Sequence, residues 1–577
     1  MALFLLLLVG CSQLAYSEAD FLDREVQMQA AVSPIVSPTP TLPSPTATPQ
    51  PPPATLAPPA TSTPSPTPVA TATLPPPTFD NPINPELVAL AEAHGADFVP
   101  LTLANTGLWQ FAPHQFSHPI DLLWVDGMVY VLDRGRLWAI DLAQPTPPHL
   151  LLQPGDLIPA HESLMTPALP VQEPLAIAHD NGRLWLLDRV GDVYGYTPAM
   201  GWWLDRYDRP IQVSSSHYFV ALATGENGRF LLDASYNYAF SYKPDQGMQG
   251  WNLPPGIGVD LAVRGAQVYV LSRNRENDEA RLRLYQAGAR LDRFSPFVLL
   301  ERPRQVLATE VATETAVYLL DQAGARLLAL HPDTGALLRV YQPPPGVTAV
   351  AATTDGRLLL AAPDRLYFYN QPDRIAHVAE SGDNRETAVS FAPDSWLAER
   401  PLHLPVAGHG INQRELQMPG APRHYRQGIH EGLDFYWAIG TPVMAVADGV
   451  VVRAMTDYVP PLPADFFYWH NETAVLGQTS AEALDFYRGQ QVWVLHDDGL
   501  VARYAHLSWI AHEVAVGTQV AAGQVIGGIG NSGSPASIDS DTEDAHLHFE
   551  LWRDTLYLGQ YLRPIEAREL LQTLFGQ

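Results

Sequence analysis

The stretch Val129-Tyr130-Val131-Leu132-Asp133 decides how most of this chain is read. It is a short run of β-branched, aromatic and aliphatic side chains, closed by a carboxylate and followed by the turn Arg134-Gly135. Such a run, bounded by turn residues, favours a buried strand. Close variants return as Leu184-Trp185-Leu186-Leu187-Asp188, Phe230-Leu231-Leu232-Asp233, Val268-Tyr269-Val270-Leu271-Ser272, Val317-Tyr318-Leu319-Leu320-Asp321 and Leu358-Leu359-Leu360-Ala361. Counted from Asp133, the closing residues fall at intervals of 55, 45, 39, 49 and 40 positions. Most copies are followed by a second strand, such as Leu137-Trp138-Ala139-Ile140 or Leu366-Tyr367-Phe368-Tyr369. Several are preceded by one, as Leu175-Ala176-Ile177-Ala178 stands before Asn181-Gly182.

That spacing suits blades of about 40–50 residues each. Residues 86–400 therefore resemble a β-propeller of the WD40 or NHL kind, without a crisp signature motif. Six blades are visible, and a seventh can be built from the strands around Phe98 to Phe111. Separate β-sandwiches are the alternative. Trp202, Trp203, Tyr236 and Tyr238 stand near blade turns, where packing between blades accounts for them. A propeller usually binds something, so an unidentified ligand or protein partner on it is left open.

Upstream, Ser33 to Phe79 is Pro, Thr, Ser and Ala with almost no charge. Such a stretch cannot bury a core and favours extended conformers of about 3.1 Å per residue, so residues 12–85 read as a disordered tether. Before it, Met1 to Cys11 is an apolar run of signal-peptide type, too short to cross a bilayer as a helix. Leu8-Val9-Gly10-Cys11 resembles the bacterial lipobox, which implies cleavage before Cys11 and lipid on it. No Lys or Arg precedes the run, a departure from that pattern. The expectation is an extracytoplasmic lipoprotein of the cell envelope, touching the membrane through its lipid. Cys11 is the only cysteine, which excludes an internal disulfide or a cysteine-rich metal site. The net charge of −27 disfavours nucleic acid or an anionic membrane surface as the main partner.

Residues 401–577 carry the chemistry. In Ala545-His546-Leu547-His548-Phe549-Glu550-Leu551, alternation along a strand puts His546, His548 and Glu550 on one face and the apolar residues on the other. Two imidazoles side by side have no packing motive and would both need partners if buried. In Gly428-Ile429-His430-Glu431-Gly432-Leu433-Asp434-Phe435, Gly432 and the β-rich residues that follow argue for a loop running into a strand. His430 and Asp434 make a good half-site for zinc. A hairpin from Val492 through Asp498-Gly499 returns with Tyr504 and His506 on one face. His496, before the turn, reads as structural.

Each segment alone is weak. In this order, with Gly440-Thr441-Pro442-Val443, Asp448-Gly449 and Gly530-Asn531-Ser532-Gly533 between them, they resemble the lysostaphin-type, or LytM-like, peptidoglycan endopeptidases. The resemblance implies a small antiparallel β-fold of the duplicated hybrid motif, so the chain as a whole is mostly β. It implies one zinc ion per chain, held by His430, Asp434 and His548, with His506 and His546 as the catalytic histidines. It also implies peptidoglycan as substrate. How His506 and His546 divide the proton and the oxyanion stays open. Two other functions are weighed: an inactive relative that activates a cell-wall amidase, and a wall-binding receptor acting through the propeller. An insertion between Met455 and Gly489 is either a flap over the groove or a surface elaboration. The acidic stretch Ser537 to Asp544 reads as a solvated loop, with attraction of substrate amino groups as the alternative.

Overall fold

The computed structural model describes residues 79–159, 168–205, 217–379 and 402–576, apart from residues 227, 236, 244–246, 276, 310–314, 354–356 and 413. Cys11, the tether up to residue 78 and Tyr236 lie outside the described residues. No described helix is long and apolar enough to cross a membrane.

Six sheets of four or five strands, antiparallel apart from one edge pair in each five-stranded sheet, form a ring among the described residues. The first holds Pro119–Val125, Met128–Asp133, Arg136–Asp141 and His149–Leu152. The next three begin at the strands Pro174–Asp180, Phe219–Gly225 and Ile257–Arg264, and the last two at Gln305–Thr309 and Ala349–Ala352. These innermost strands pack side by side around the ring, and the sixth meets the first. They enclose a channel of about 650 Å³. This is a six-bladed β-propeller.

The strands around Phe98 to Phe111 do not make a seventh blade. Asp97–Pro100 pairs in parallel with Leu337–Gln342 as an extra edge of the fifth blade. Thr106–Gln110 pairs antiparallel with Arg365–Tyr369, completing the sixth blade from a point in the chain before the first. Thr106–Gln110 is spent on closing the ring, because an open propeller would leave an unpaired edge.

The aspartates that end the second strands have a common task. Asp133 is fully buried and accepts the N–H groups of Ser117 and His118 at 3.1 and 2.6 Å. Asp188 takes those of Gln172 and Glu173, and Asp321 those of Glu301 and Arg302. Each carboxylate satisfies the loop that leads into its own blade, where the backbone has left one ladder and not yet joined the next.

The C-terminal part is built on an antiparallel sheet with the strand order Leu433–Tyr436, His546–Arg553, Leu500–Ala505, Val492–Leu495, Gly449–Ala454 and Gln519–Val520. A second sheet holds Pro442–Met444, Val525–Ile529 and Leu507–Ile510. Leu547, Phe549 and Leu551 enter the core with Val492, Val494, Ala502 and Tyr504. The Met455–Gly489 insertion is two helices, Pro463–Leu476 and Ala481–Arg488. Its Phe466, Ala483 and Tyr487 form a small core that packs against Tyr425 and Ile538.

The two parts meet across buried charge. Arg189 of the propeller bonds Glu173 at 3.0 Å, Tyr218 and the carbonyl of Leu562. Glu173 accepts Tyr557 and Gln560 from the C-terminal part. Arg563, at the start of the final helix Pro564–Leu574, donates to the carbonyls of Ile120 and Thr348, where two innermost propeller strands begin.

Candidate metal centre

Strand pairing builds the site. Asp434 lies opposite His548 in the register of Leu433–Tyr436 against His546–Arg553. His430 precedes that strand, and its N–H donates to the carbonyl of Ala421. Gly432 between them is needed for room: a Cβ there would lie 2.4 Å from the carbonyl oxygen of Phe549 and 2.8 Å from the His548 ring.

Three donor atoms converge. His430 Nε2 is 2.9 Å from Asp434 Oδ1 and 2.9 Å from His548 Nδ1, and His548 Nδ1 is 3.0 Å from Asp434 Oδ1. All three side chains are buried. The outward-facing atoms have separate partners. His430 Nδ1 meets the carbonyl of Met418 at 2.9 Å. His548 Nε2 meets Glu550 Oε1 at 2.9 Å. Asp434 Oδ2 accepts Arg423 at 3.0 Å. Two imidazole nitrogens and a carboxylate oxygen facing one another with their far sides already tied are the donor set that a zinc ion takes, with a coordination position left open.

Electrostatics agree with a shared charge. Burial, then the nearby Arg423 guanidinium, push the His430 imidazole down to about 3. Burial opposes charge on His548, but its hydrogen bonds to Asp434 and Glu550 push it up to about 9. Burial likewise opposes charge on Asp434, yet the His430 ring holds its carboxyl well below the usual range.

His506 and His546 stand beside this group, with ring centroids 4.6 Å apart and His506 5.7 Å from His548. His506 Nδ1 donates to the carbonyl of Ser532 at 2.7 Å, and His546 Nδ1 to that of Asp544 at 2.6 Å. Both rings therefore present Nε2 as an acceptor. Tyr436 stacks on His546 at 4.7 Å. The acidic stretch thus supplies a backbone carbonyl that orients a histidine.

One expectation is corrected. Tyr504 and His506 do not share a face: Tyr504 is in the core, whereas His506 has φ +58, and this left-handed residue swings its ring into the site. The insertion contacts residues that flank the site. Thr479 clasps Arg426, which donates to the carbonyl of Ile429 beside His430. Arg488 binds Glu550 in two contacts of 2.6 and 2.9 Å. Arg423, Arg488 and Arg503 were not singled out from sequence. Their spacing carries no signal, although Glu550 lies on the His548 face of its strand and invites a search for its partner. His496 is buried, and its Nδ1 bonds the carbonyl of Asp448 away from the triad.

Residues 471–562 match the model of peptidase family M23. That span holds His506, His546 and His548; His430 and Asp434 lie before it and rest on the geometry above. The chain is 28% identical over 170 residues to the glycyl-glycine endopeptidase ALE-1 of Staphylococcus capitis, covering 29% of this chain and 33% of that protein. It is 32% identical over 124 residues to the lysostaphin of Staphylococcus simulans, covering 21% and 18%. It is 34% identical over 126 residues to the peptidoglycan DD-endopeptidase ShyA of Vibrio cholerae, covering 22% and 21%. The chain spans about a third or less of the length of these relatives.

Proposed function

We propose, from the premise that the C-terminal part of this chain is a peptidase family M23 domain, that the protein is a zinc-dependent endopeptidase hydrolysing peptide bonds in peptidoglycan. The observation that carries the reading is the convergence of His430 Nε2, Asp434 Oδ1 and His548 Nδ1 beside two histidines with Nε2 to spare. The name of one relative, the peptidoglycan DD-endopeptidase ShyA, supports peptidoglycan as substrate, and hence work outside the cytoplasm. The lipobox-like Leu8-Val9-Gly10-Cys11 supports a lipid anchor at Cys11, with the tether and propeller, residues 12–85 and 86–400, between anchor and peptidase.

His430, Asp434 and His548 would hold the metal. Bound zinc would supply a water acidified towards about pH 7 and polarisation of the scissile carbonyl. His506 and His546 do the proton work. Each has its Nδ1–H committed to a carbonyl, so each can take a proton at Nε2 from an attacking water. Once protonated, each can donate to the oxyanion or to the leaving amine. The sequence has no His-Glu-x-x-His pattern, and with these two histidines neither role needs a carboxylate base.

Zinc content and fragment release from defined peptidoglycan, read by mass spectrometry, test this. His548→Ala should lose the metal. His546→Ala should keep it while turnover falls about 10²–10⁴-fold. Loss of zinc in His546→Ala would overturn the division into ligands and catalytic histidines. A parent chain with zinc but no release would overturn the activity.

A further inference from the structure

We propose that Arg488, carried by the helical insertion, is a positioning residue for the metal ligand His548 and acts through Glu550. This rests on the zinc reading above.

Glu550 is 1% exposed. Arg488 Nε reaches Oε1 at 2.6 Å and its Nη2 reaches Oε2 at 2.9 Å. Arg503 and the indole N–H of Trp552 also donate to Oε2. Oε1 then faces His548 Nε2 at 2.9 Å. A carboxylate between two guanidinium groups only accepts, so His548 must carry its proton on Nε2. In the neutral ring that a metal ligand must be, that leaves the Nδ1 lone pair on the side of His430 and Asp434. The two-point grip of Arg488 fixes the plane of the carboxylate, and the carboxylate fixes the plane of the imidazole. Arg503 alone cannot do this, as its single contact is 3.4 Å long.

The same short segment also sets the second histidine. The carbonyl of Arg488 accepts the N–H of His506 at 2.9 Å. The N–H of Gln490 donates to Ser532 Oγ at 2.9 Å, and the Ser532 carbonyl holds His506 Nδ1. Gly489 between them has φ +62, and a Cβ there would lie 2.2 Å from that Ser532 carbonyl oxygen. The insertion is therefore a buttress for the site, and Arg488 is its point of contact with the metal ligand.

The experiment measures zinc affinity of the full chain by chelator competition, with thermal midpoints alongside, for Arg488→Gln, Glu550→Gln and the double variant. Arg488→Gln should weaken zinc binding about 10- to 100-fold, the usual effect of losing an outer-shell partner. If Arg488 acts through Glu550, the double variant binds zinc no more weakly than Glu550→Gln alone. A merely structural role would instead multiply the two losses in full, and that result overturns the proposal. Arg488→Lys keeps the charge but not the two-point grip, and it serves if the glutamine variant does not fold; its affinity should fall below the parent's. Parent-like zinc affinity in either folded variant also overturns the proposal. A parent chain that takes up no zinc overturns the zinc reading itself.

Discussion

Asp260 lines the propeller channel, where its carboxylate accepts the N–H of Val306 from the next blade and that of Leu261, both at 2.8 Å. Burial pushes its carboxyl up from 3.8 to about 7, with the Asp121 carboxylate adding and the two amides opposing. The folded chain binds this proton more tightly than the unfolded chain. The residue's contribution to stability is therefore whole below about pH 4 and is lost as the pH climbs to about 7. Asp260→Asn cannot titrate. The difference in thermal midpoint between variant and parent should move in the variant's favour between those two pH values; a constant difference would refute the assignment. At this scale the site was largely legible. The alternation that put His546 and His548 opposite Leu547 and Phe549 needs only the period of a strand, and the core contains those two apolar residues. The same rule failed at His506, because one residue with positive φ reverses the parity and nothing in the local sequence announces it.

Among the elements, the aspartate that ends the second strand of a blade carries more weight than its place at a strand end suggests. Asp133→Ala would leave the N–H groups of Ser117 and His118 buried without an acceptor. At the usual cost of orphaned donors, the loss should be about 2–4 kcal/mol, read from denaturant unfolding of the full chain. A loss within about 0.5 kcal/mol, the range of ordinary surface changes, would show that water replaces the carboxylate. The repeat itself was readable because apolar runs and turns recur at blade spacing. The task of the aspartate was not, because its partners are main-chain groups some fifteen residues upstream that leave no side-chain pattern. The packing of the insertion was likewise hidden: Phe466 and Trp469 pack with Tyr425, some forty residues upstream, and nothing in the local sequence pairs them.

For the molecule as a whole, the propeller and the C-terminal part belong to one compact unit. Arg189 is fully buried at their junction and compensates Glu173, which is itself buried. Truncating one partner of a buried pair typically costs about 3–5 kcal/mol, so Arg189→Ala should lower the calorimetric transition of both parts together. Two separate transitions in the parent, only one of them moved by the substitution, would refute the coupling. An excised C-terminal part, residues 401–577, would also bare Arg563 and Ile565, which the propeller covers. The closing strand Thr106–Gln110 has one more effect. Thr106 pairs with Tyr369, so the ring cannot shut until nearly the whole propeller has been synthesised. Forming that last register means closing a very long loop before any contact rewards it. The early strand waits with its edge bare, and in that interval a second unfinished copy could lend the missing partner: this ring carries its own route to domain-swapped pairs.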